Sequence, residues 1–109
     1  MASAREIIES MQTRFIPSAA PRGYVCRVHI HLRGSDVSTY TVHIANGKCT
    51  VVHGLEGEPD AQRKADADTY AAVALGKQRI EWAVMRRQIQ LSPISTMRTF
   101  SKLFEQPSA

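Results

Sequence analysis

The sequence predicts an α+β fold. Three observations carry that reading: strict alternation from Tyr24 to His53, the dipeptide Asn46-Gly47 inside that run, and helical spacing of apolar residues on either side of it. Tyr24, Cys26, Val28, Ile30 and Leu32 alternate with Val25, Arg27, His29, His31 and Arg33, the period of two that marks a half-buried strand. Residues 34–38 turn the chain into a second strand, in which Tyr40, Val42 and Ile44 alternate with Thr39, Thr41 and His43. Asn46-Gly47 then predicts a two-residue hairpin, because both central residues of such a turn need positive φ. That turn sets Ile44 opposite Cys49 and Val42 opposite Val51. The resulting three-strand meander has one face of Arg, His and Thr, and one apolar face that another element or a ligand must cover.

Helices are expected at both ends and in the middle. Ser3-Ala4-Arg5-Glu6 matches a capping box, and Ile8, Met11 and Phe15 follow at helical spacing until Pro17 stops the run. Asp66 or Asp68 can cap a helix through Tyr70, Ala71, Val73, Ala74 and Leu75, ended by Gly76. Ile80, Ala83, Val84 and Met85 suggest a further short helix, and Ile89 and Leu91 a short strand. Ser92-Pro93 then opens the last helix, with Ser92 as cap and Pro93 at the first helical position. Ile94, Met97, Phe100, Leu103 and Phe104 line one side of it. The stretch 56–60 and the two tails are expected to be mobile.

A chain of 109 residues is expected to form a single domain and to bury roughly 65% of its extended surface, enough for a real core. No apolar run approaches the length of a membrane span. The start Met1-Ala2-Ser3-Ala4-Arg5-Glu6 lacks the layout of a signal peptide, and the end Gln106-Pro107-Ser108-Ala109 is not a peroxisomal address, so a soluble, cytoplasmic protein is expected. Cys26 and Cys49 share a sheet face but sit on the first and third strands. Two strand spacings, about 9.6 Å, exceed the roughly 7 Å that a disulfide spans, so both are expected to be buried thiols.

The net charge of +4 is unevenly spread: residues 54–75 carry two basic and five acidic side chains, residues 76–109 six basic and two acidic. Basic residues of the last third could draw the protein to an anionic membrane surface. A nucleic-acid interface would need a denser basic stripe with interleaved aromatics, and only 6% of the residues are aromatic. His29 and His31 share a strand face and His43 can lie across from His29, yet alternation on a solvent face explains them without a metal. His53 falls at the end of the third strand, on the apolar side. Catalytic motifs are absent: there is no nucleophile elbow and no phosphate-binding glycine loop, and Asp66-Ala67-Asp68 reads as helix capping rather than as a carboxylate pair.

The order of these pieces resembles the sterol carrier protein type 2 family. The residues that carry the resemblance are Phe15 and Pro17, the segment Tyr40-Thr41-Val42-His43-Ile44-Ala45-Asn46-Gly47, the stretch from Gly54 to Asp60, Ala67-Asp68-Thr69-Tyr70 with Leu75-Gly76-Lys77, and Leu103-Phe104. The resemblance implies a mostly antiparallel five-stranded sheet covered on one face by helices, enclosing an apolar tunnel for a sterol, fatty acid, fatty acyl-CoA or phospholipid, with no catalysis and no cofactor. The chain departs from the family pattern where Arg87 and Pro93 stand at positions usually held by glycine, which bears on the shape of the tunnel mouth.

On this reading the ligand lies against Ile30, Leu32, Tyr40, Val42, Ile44 and Val51 from the sheet, and against Trp82, Met85, Met97, Phe100 and Phe104 from the helices. About sixteen methylenes leaving water gain on the order of 12 kcal/mol gross, so a long acyl or sterol body would bind usefully after association costs of several kcal/mol. Arg86, Arg87, Arg98 and Lys102 are the expected contacts with an anionic membrane. The alternative is an accessory protein-interaction domain of the same fold whose tunnel is filled.

Overall fold

The computed structural model describes residues 3–107; the readings made of Met1, Ala2, Ser108 and Ala109 lie outside them. Helix α1 (Ala4–Glu9) starts as its sequence dictates: Ser3 accepts from the Glu6 backbone N–H, and the Glu6 carboxylate accepts from that of Ser3. The expected single helix is broken into α1 and α2 (Met11–Arg14) at Ser10. The Ser10 hydroxyl donates back to the Ile7 carbonyl at 2.7 Å and accepts from Arg14 Nε at 2.8 Å, a local competition with helix bonding that bends the chain.

Strands β1 (Cys26–Arg33), β2 (Ser38–Ala45) and β3 (Lys48–His53) form the meander read from the alternation. Asn46 and Gly47 have φ of 54° and 70°, and the hairpin sets Ile44 opposite Cys49 and Val42 opposite Val51. The third histidine falls elsewhere than expected: His43 faces Arg27, and His29 faces Thr41. Among the described residues no cluster of three metal-ligating side chains forms.

Strand β4 (Ala61–Asp66) pairs with β1, and β5 (Ile89–Ser92) pairs with β4, giving the order β3-β2-β1-β4-β5. The sheet is five-stranded but mixed rather than mostly antiparallel, because β1 and β4 run parallel. A seven-residue connection makes this pairing without a helix. Such a segment reaches about 23 Å, enough to cross three strand spacings of about 4.8 Å. It runs over the polar face and is tied down there, contrary to the expected mobility. Thr41 Oγ1 donates to Gly54 O at 2.8 Å, and Glu56 N–H donates to Thr41 Oγ1 at 2.9 Å. Arg27 N–H donates to the Asp60 carboxylate at 2.8 Å. His29 Nε2 lies 2.9 Å from the Glu56 carbonyl, which can only accept, so Nε2 carries the proton.

Helix α3 (Ala67–Ala74) is capped by Asp66, whose carboxylate accepts from Thr69 N–H. It ends in a Schellman motif: Lys77 N–H reaches the Ala72 carbonyl and Gly76, at φ +76°, donates to Val73. Helix α4 (Ile80–Met85) ends the same way, with Arg87 donating to Val84 and Gln88 to Ala83, so Arg87 at φ +58° fills the place that suits glycine. The sequence departure at Arg87 therefore leaves the backbone path intact at a cost in strain. Arg87→Gly should raise stability by about 1 kcal/mol, measurable as a shift in urea midpoint; an unchanged or lowered midpoint would contradict the strained cap. Helix α5 (Ile94–Ser101) starts one residue later than expected: Ser92 ends β5, and Pro93 holds the cap position without a side-chain bond.

The helices cover one face of the sheet. Val28, Ile30, Tyr40, Val42 and Ile44 have no accessible surface, and they pack with Ile7, Ile8, Met11, Met97 and Phe100 in one cluster. Cys26 and Cys49 are free and buried, and burial pushes the Cys49 thiol up to about 11. Among the described residues no helix is long and apolar enough to cross a membrane.

Candidate functional site

The register of β4 places a charge where the sheet calls for an apolar side chain. Ala61, Arg63 and Ala65 pair with Val28, Ile30 and Leu32, so Arg63 lies on the helix-covered face of the sheet. Its small neighbours leave room for the long side chain, which runs out under α3 and α5. Arg63 Nη1 donates to Tyr70 Oη and Nη2 to Ser101 Oγ, both at 3.3 Å, and the guanidinium carbon sits 5.4 Å from the centre of the Tyr70 ring. Its Nε is buried and has no partner.

Above Arg63 lies a half-enclosed cavity of about 180 Å³, walled by Ile7 and Met11 from the first two helices, Val73 and Ala74 from α3, and Phe100 and Phe104. Arg14 enters it from the end of α2. Arg14 Nε donates to Ser10 Oγ at 2.8 Å, Nη1 to the Glu105 carbonyl at 2.8 Å and Nη2 to the Ile7 carbonyl at 2.9 Å. All three acceptors are uncharged, and desolvation lowers the pKa of Arg14. A C-terminal strap closes one side: Glu105 N–H donates to the Arg14 carbonyl at 2.8 Å, and Gln106 Nε2 donates to the Ala74 carbonyl at 2.7 Å. Rings of Phe15, Phe104 and Phe100 form a chain beneath it, with centroids 5.7 and 5.0 Å apart.

A second hollow, of about 640 Å³, lies between the starts of α1 and α3. Four alanines, Ala4, Ala67, Ala71 and Ala72, supply its apolar wall, and Arg5, Asp36 and Asp68 its polar rim. Arg5 pairs with Asp36 at 3.4 Å, and Ser35 donates to Asp68 at 2.8 Å, so the rim charges already have partners within the protein. The larger space therefore has a mainly apolar wall, and its rim charges are met within the protein.

The residues singled out from sequence divide into three groups. Ile30, Tyr40, Val42 and Ile44 have no accessible surface, and Leu32 and Met97 have 4% and 1%. A side chain facing a void large enough for water keeps accessible surface even inside a protein, so the layer between these residues and the helices is filled. Val51 is half-buried against the same cluster. Phe100 and Phe104 border the small cavity, Phe100 with no accessible surface of its own. Trp82 and Met85 point outward, at 49% and 74% exposure. His53 is exposed, with Nε2 3.6 Å from Glu9 and its ring edge-on to Tyr40. The sequence reading missed Ile7, Met11, Arg14, Arg63, Tyr70 and Val73; Arg63 between two alanines at period-two spacing was the available signal.

No family model and no curated protein matches the sequence. Solved structures do match. The UbiJ-SCP2 ubiquinone synthesis protein superposes with a TM-score of 0.70 over 92% of this chain and 90% of its own, at 13% identity. Palmitated sterol carrier protein 2 like 2 from Aedes aegypti gives 0.64 over 96% of each chain, at 13% identity. The fold is that of sterol carrier protein 2. The same fold occurs inside a longer protein: the stereoselective inverting sec-alkylsulfatase Pisa1 from Pseudomonas sp. matches with a TM-score of 0.78 over 94% of this chain, at 15% identity, but this chain spans only 16% of the sulfatase. The sterol carrier protein 2 fold thus accommodates a cation on the helix-covered face of its sheet and a packed apolar layer beside it.

Proposed function

We propose that the protein binds a lipid-class ligand in the cavity between α2, α3 and α5 and carries it without chemical change. The observation that supports this reading is a half-open space of about 180 Å³ in which Ile7, Met11, Val73, Phe100 and Phe104 form the apolar part of a wall completed by Arg14, Arg63, Ser101 and Gln106. A cavity of about 150 Å³ lined by apolar side chains is enough to bind benzene. This one therefore seats a group of comparable size, and a whole sterol or a sixteen-carbon chain exceeds it unless the strap of residues 104–107 swings away. The palmitated relative in the same fold agrees with a ligand of this class. Ile30, Leu32, Tyr40, Val42, Ile44, Val51, Met97 and Phe100 serve on this view as a rigid floor, and the half-buried Phe104 as the contact. Native mass spectrometry of the purified protein, followed by organic extraction, should recover one ligand per chain. Finding none, together with failure of fluorescent fatty-acid, acyl-CoA and sterol analogues to bind, would refute the proposal.

Delivery belongs to the same reading. Helix α4 exposes Trp82 and Met85, with Arg86 5.5 Å from the Trp82 ring centre and Arg87 following; Arg98 and Lys102 sit on or after α5. An aromatic flanked by cations suits an anionic bilayer surface, where each cation contributes about 1 kcal/mol. Transfer of a fluorescent fatty acid to anionic vesicles should outpace transfer to neutral ones, and salt should erase the difference. Equal rates would remove this face from the mechanism.

The filled layer favours one other reading, an accessory domain that uses the exposed apolar side of α4 to hold a protein partner. The occurrence of the fold as 16% of a sulfatase shows that it can serve as part of a larger chain. Loss of a partner on Trp82→Ala, with ligand binding intact, would support it.

A further inference from the structure

On the reading that the cavity is the ligand seat, we infer that the C-terminal strap decides how long a ligand the protein accepts, with Gln106 as the latch that holds the strap shut. Glu105, Gln106 and Pro107 form one side of the space of about 180 Å³. The other sides come from the helices and the sheet, where Ile7, Met11 and Phe100 are buried in the core. A ligand larger than the seat can therefore make room only on the strap side.

The strap closes on carbonyls that two helix ends leave over. An α-helix leaves its last four carbonyls without partners inside the helix. In α3 the terminal turn serves three of them: Leu75 N–H donates to Ala71, Gly76 N–H to Val73 and Lys77 N–H to Ala72. Gln78 N–H, which would serve Ala74 in a longer helix, also turns back to Ala72, at 3.2 Å. The Ala74 carbonyl is thus left for Gln106, whose Nε2 donates to it at 2.7 Å. Across the cavity, the carbonyl of Arg14, the last residue of α2, accepts from Glu105 N–H, and Arg14 Nη1 donates to the Glu105 carbonyl, each at 2.8 Å.

These two anchors are unequal. Glu105 is gripped through both of its backbone groups, and Phe104 before it is fixed by its bridge to Phe15 and its ring contact with Phe100. Gln106 is exposed and is held by its side-chain bond to Ala74, which trades against a bond to water. The pivot therefore lies between Glu105 and Gln106: Gln106 and Pro107 lift away while the chain of rings beneath stays in place. A ligand that fits the closed seat does not need this opening. A longer one binds only the open form, so its apparent affinity is reduced by the fraction of molecules that are open.

The test uses two probes, benzene, which fits the seat, and cis-parinaric acid, a fluorescent eighteen-carbon chain that exceeds it, titrated by calorimetry and by fluorescence. Gln106→Met keeps the length of the side chain and removes its donor; Gln106→Lys restores a donor that suits a helix C-terminus. Gln106→Met should bind cis-parinaric acid about fivefold more tightly than the wild type, with benzene affinity unchanged. Gln106→Lys should match the wild type with both probes. Substitution at this exposed position leaves the fold in place. Failure of Gln106→Met to gain on the long chain, or weakening of both probes, would overturn the latch and leave the cavity as the seat. Binding of neither probe, by wild type or variant, would overturn both.

Discussion

Phe100→Ala should destabilise the protein by about 3–5 kcal/mol, a large share of the roughly 5–15 kcal/mol that holds a domain together. Phe100 has no accessible surface and stacks on Phe104 at 5.0 Å, which in turn meets Phe15. That chain of rings ties α5 to the segment after α2, where Phe15 and Phe104 bridge and Ile16 N–H donates to the Leu103 carbonyl at 2.8 Å. Removing the inner end of this chain of rings leaves an unfilled space continuous with the existing cavity. Benzene should therefore restore more stability to the variant than to the wild type, since a ligand at a hundred times its Kd contributes about 2.7 kcal/mol. Thermal melts with and without benzene measure both effects. A loss under about 1 kcal/mol, or no recovery, would mean that α5 is not packed as described.

Ala74→Phe should abolish ligand binding while leaving the fold in place. Ala74 lies on the wall of the cavity and is half-buried, so a larger side chain there can turn into the open space instead of into the core. The helix-propensity penalty is only about half a kcal/mol, whereas filling the seat should weaken a bound hydrophobic probe at least tenfold. The control is Ala72→Phe on the same helix, which faces the other hollow. Calorimetric titration of both variants separates the two spaces: equal loss in both, or loss only in the second, would move the site to the groove between α1 and α3.

The contrast between what could and could not be read from sequence follows from how locally each feature is determined. The meander, its turn and the β2–β3 register were legible because alternation and Asn46-Gly47 are short-range signals, and the same holds for the capping box at Ser3 and the Asp66 cap, whereas the β1–β2 register, set across a longer loop, was not: His29 faces Thr41 and not His43. Strand β4 was not, because its inward positions are Ala61, Arg63 and Ala65, with none of the branched residues that advertise a strand. Its parallel pairing depends on a connection whose anchors, Thr41, His29 and Arg27, lie on another part of the chain. Helix α4 misled for a different reason. A six-residue helix with apolar groups around most of its circumference has no stripe to orient it, and only Ala83 is buried. The cavity gathers residues from Ile7 to Pro107, a convergence that no local pattern encodes. Apolar residues on the sheet were consistent with a tunnel wall and, more readily, with a packed core, and Ile30, Tyr40, Val42 and Ile44 keep no accessible surface against α1, α2 and α5.

The claim on which the account turns is that ligand sits at the edge of the helical layer and not between that layer and the sheet. Intermolecular NOEs between a short-chain lipid probe and the carbon-13-labelled protein test it directly. The account predicts contacts from the ligand to Ile7, Met11, Val73 and Phe104; contacts to Ile30, Val42 and Ile44 in their place would contradict it.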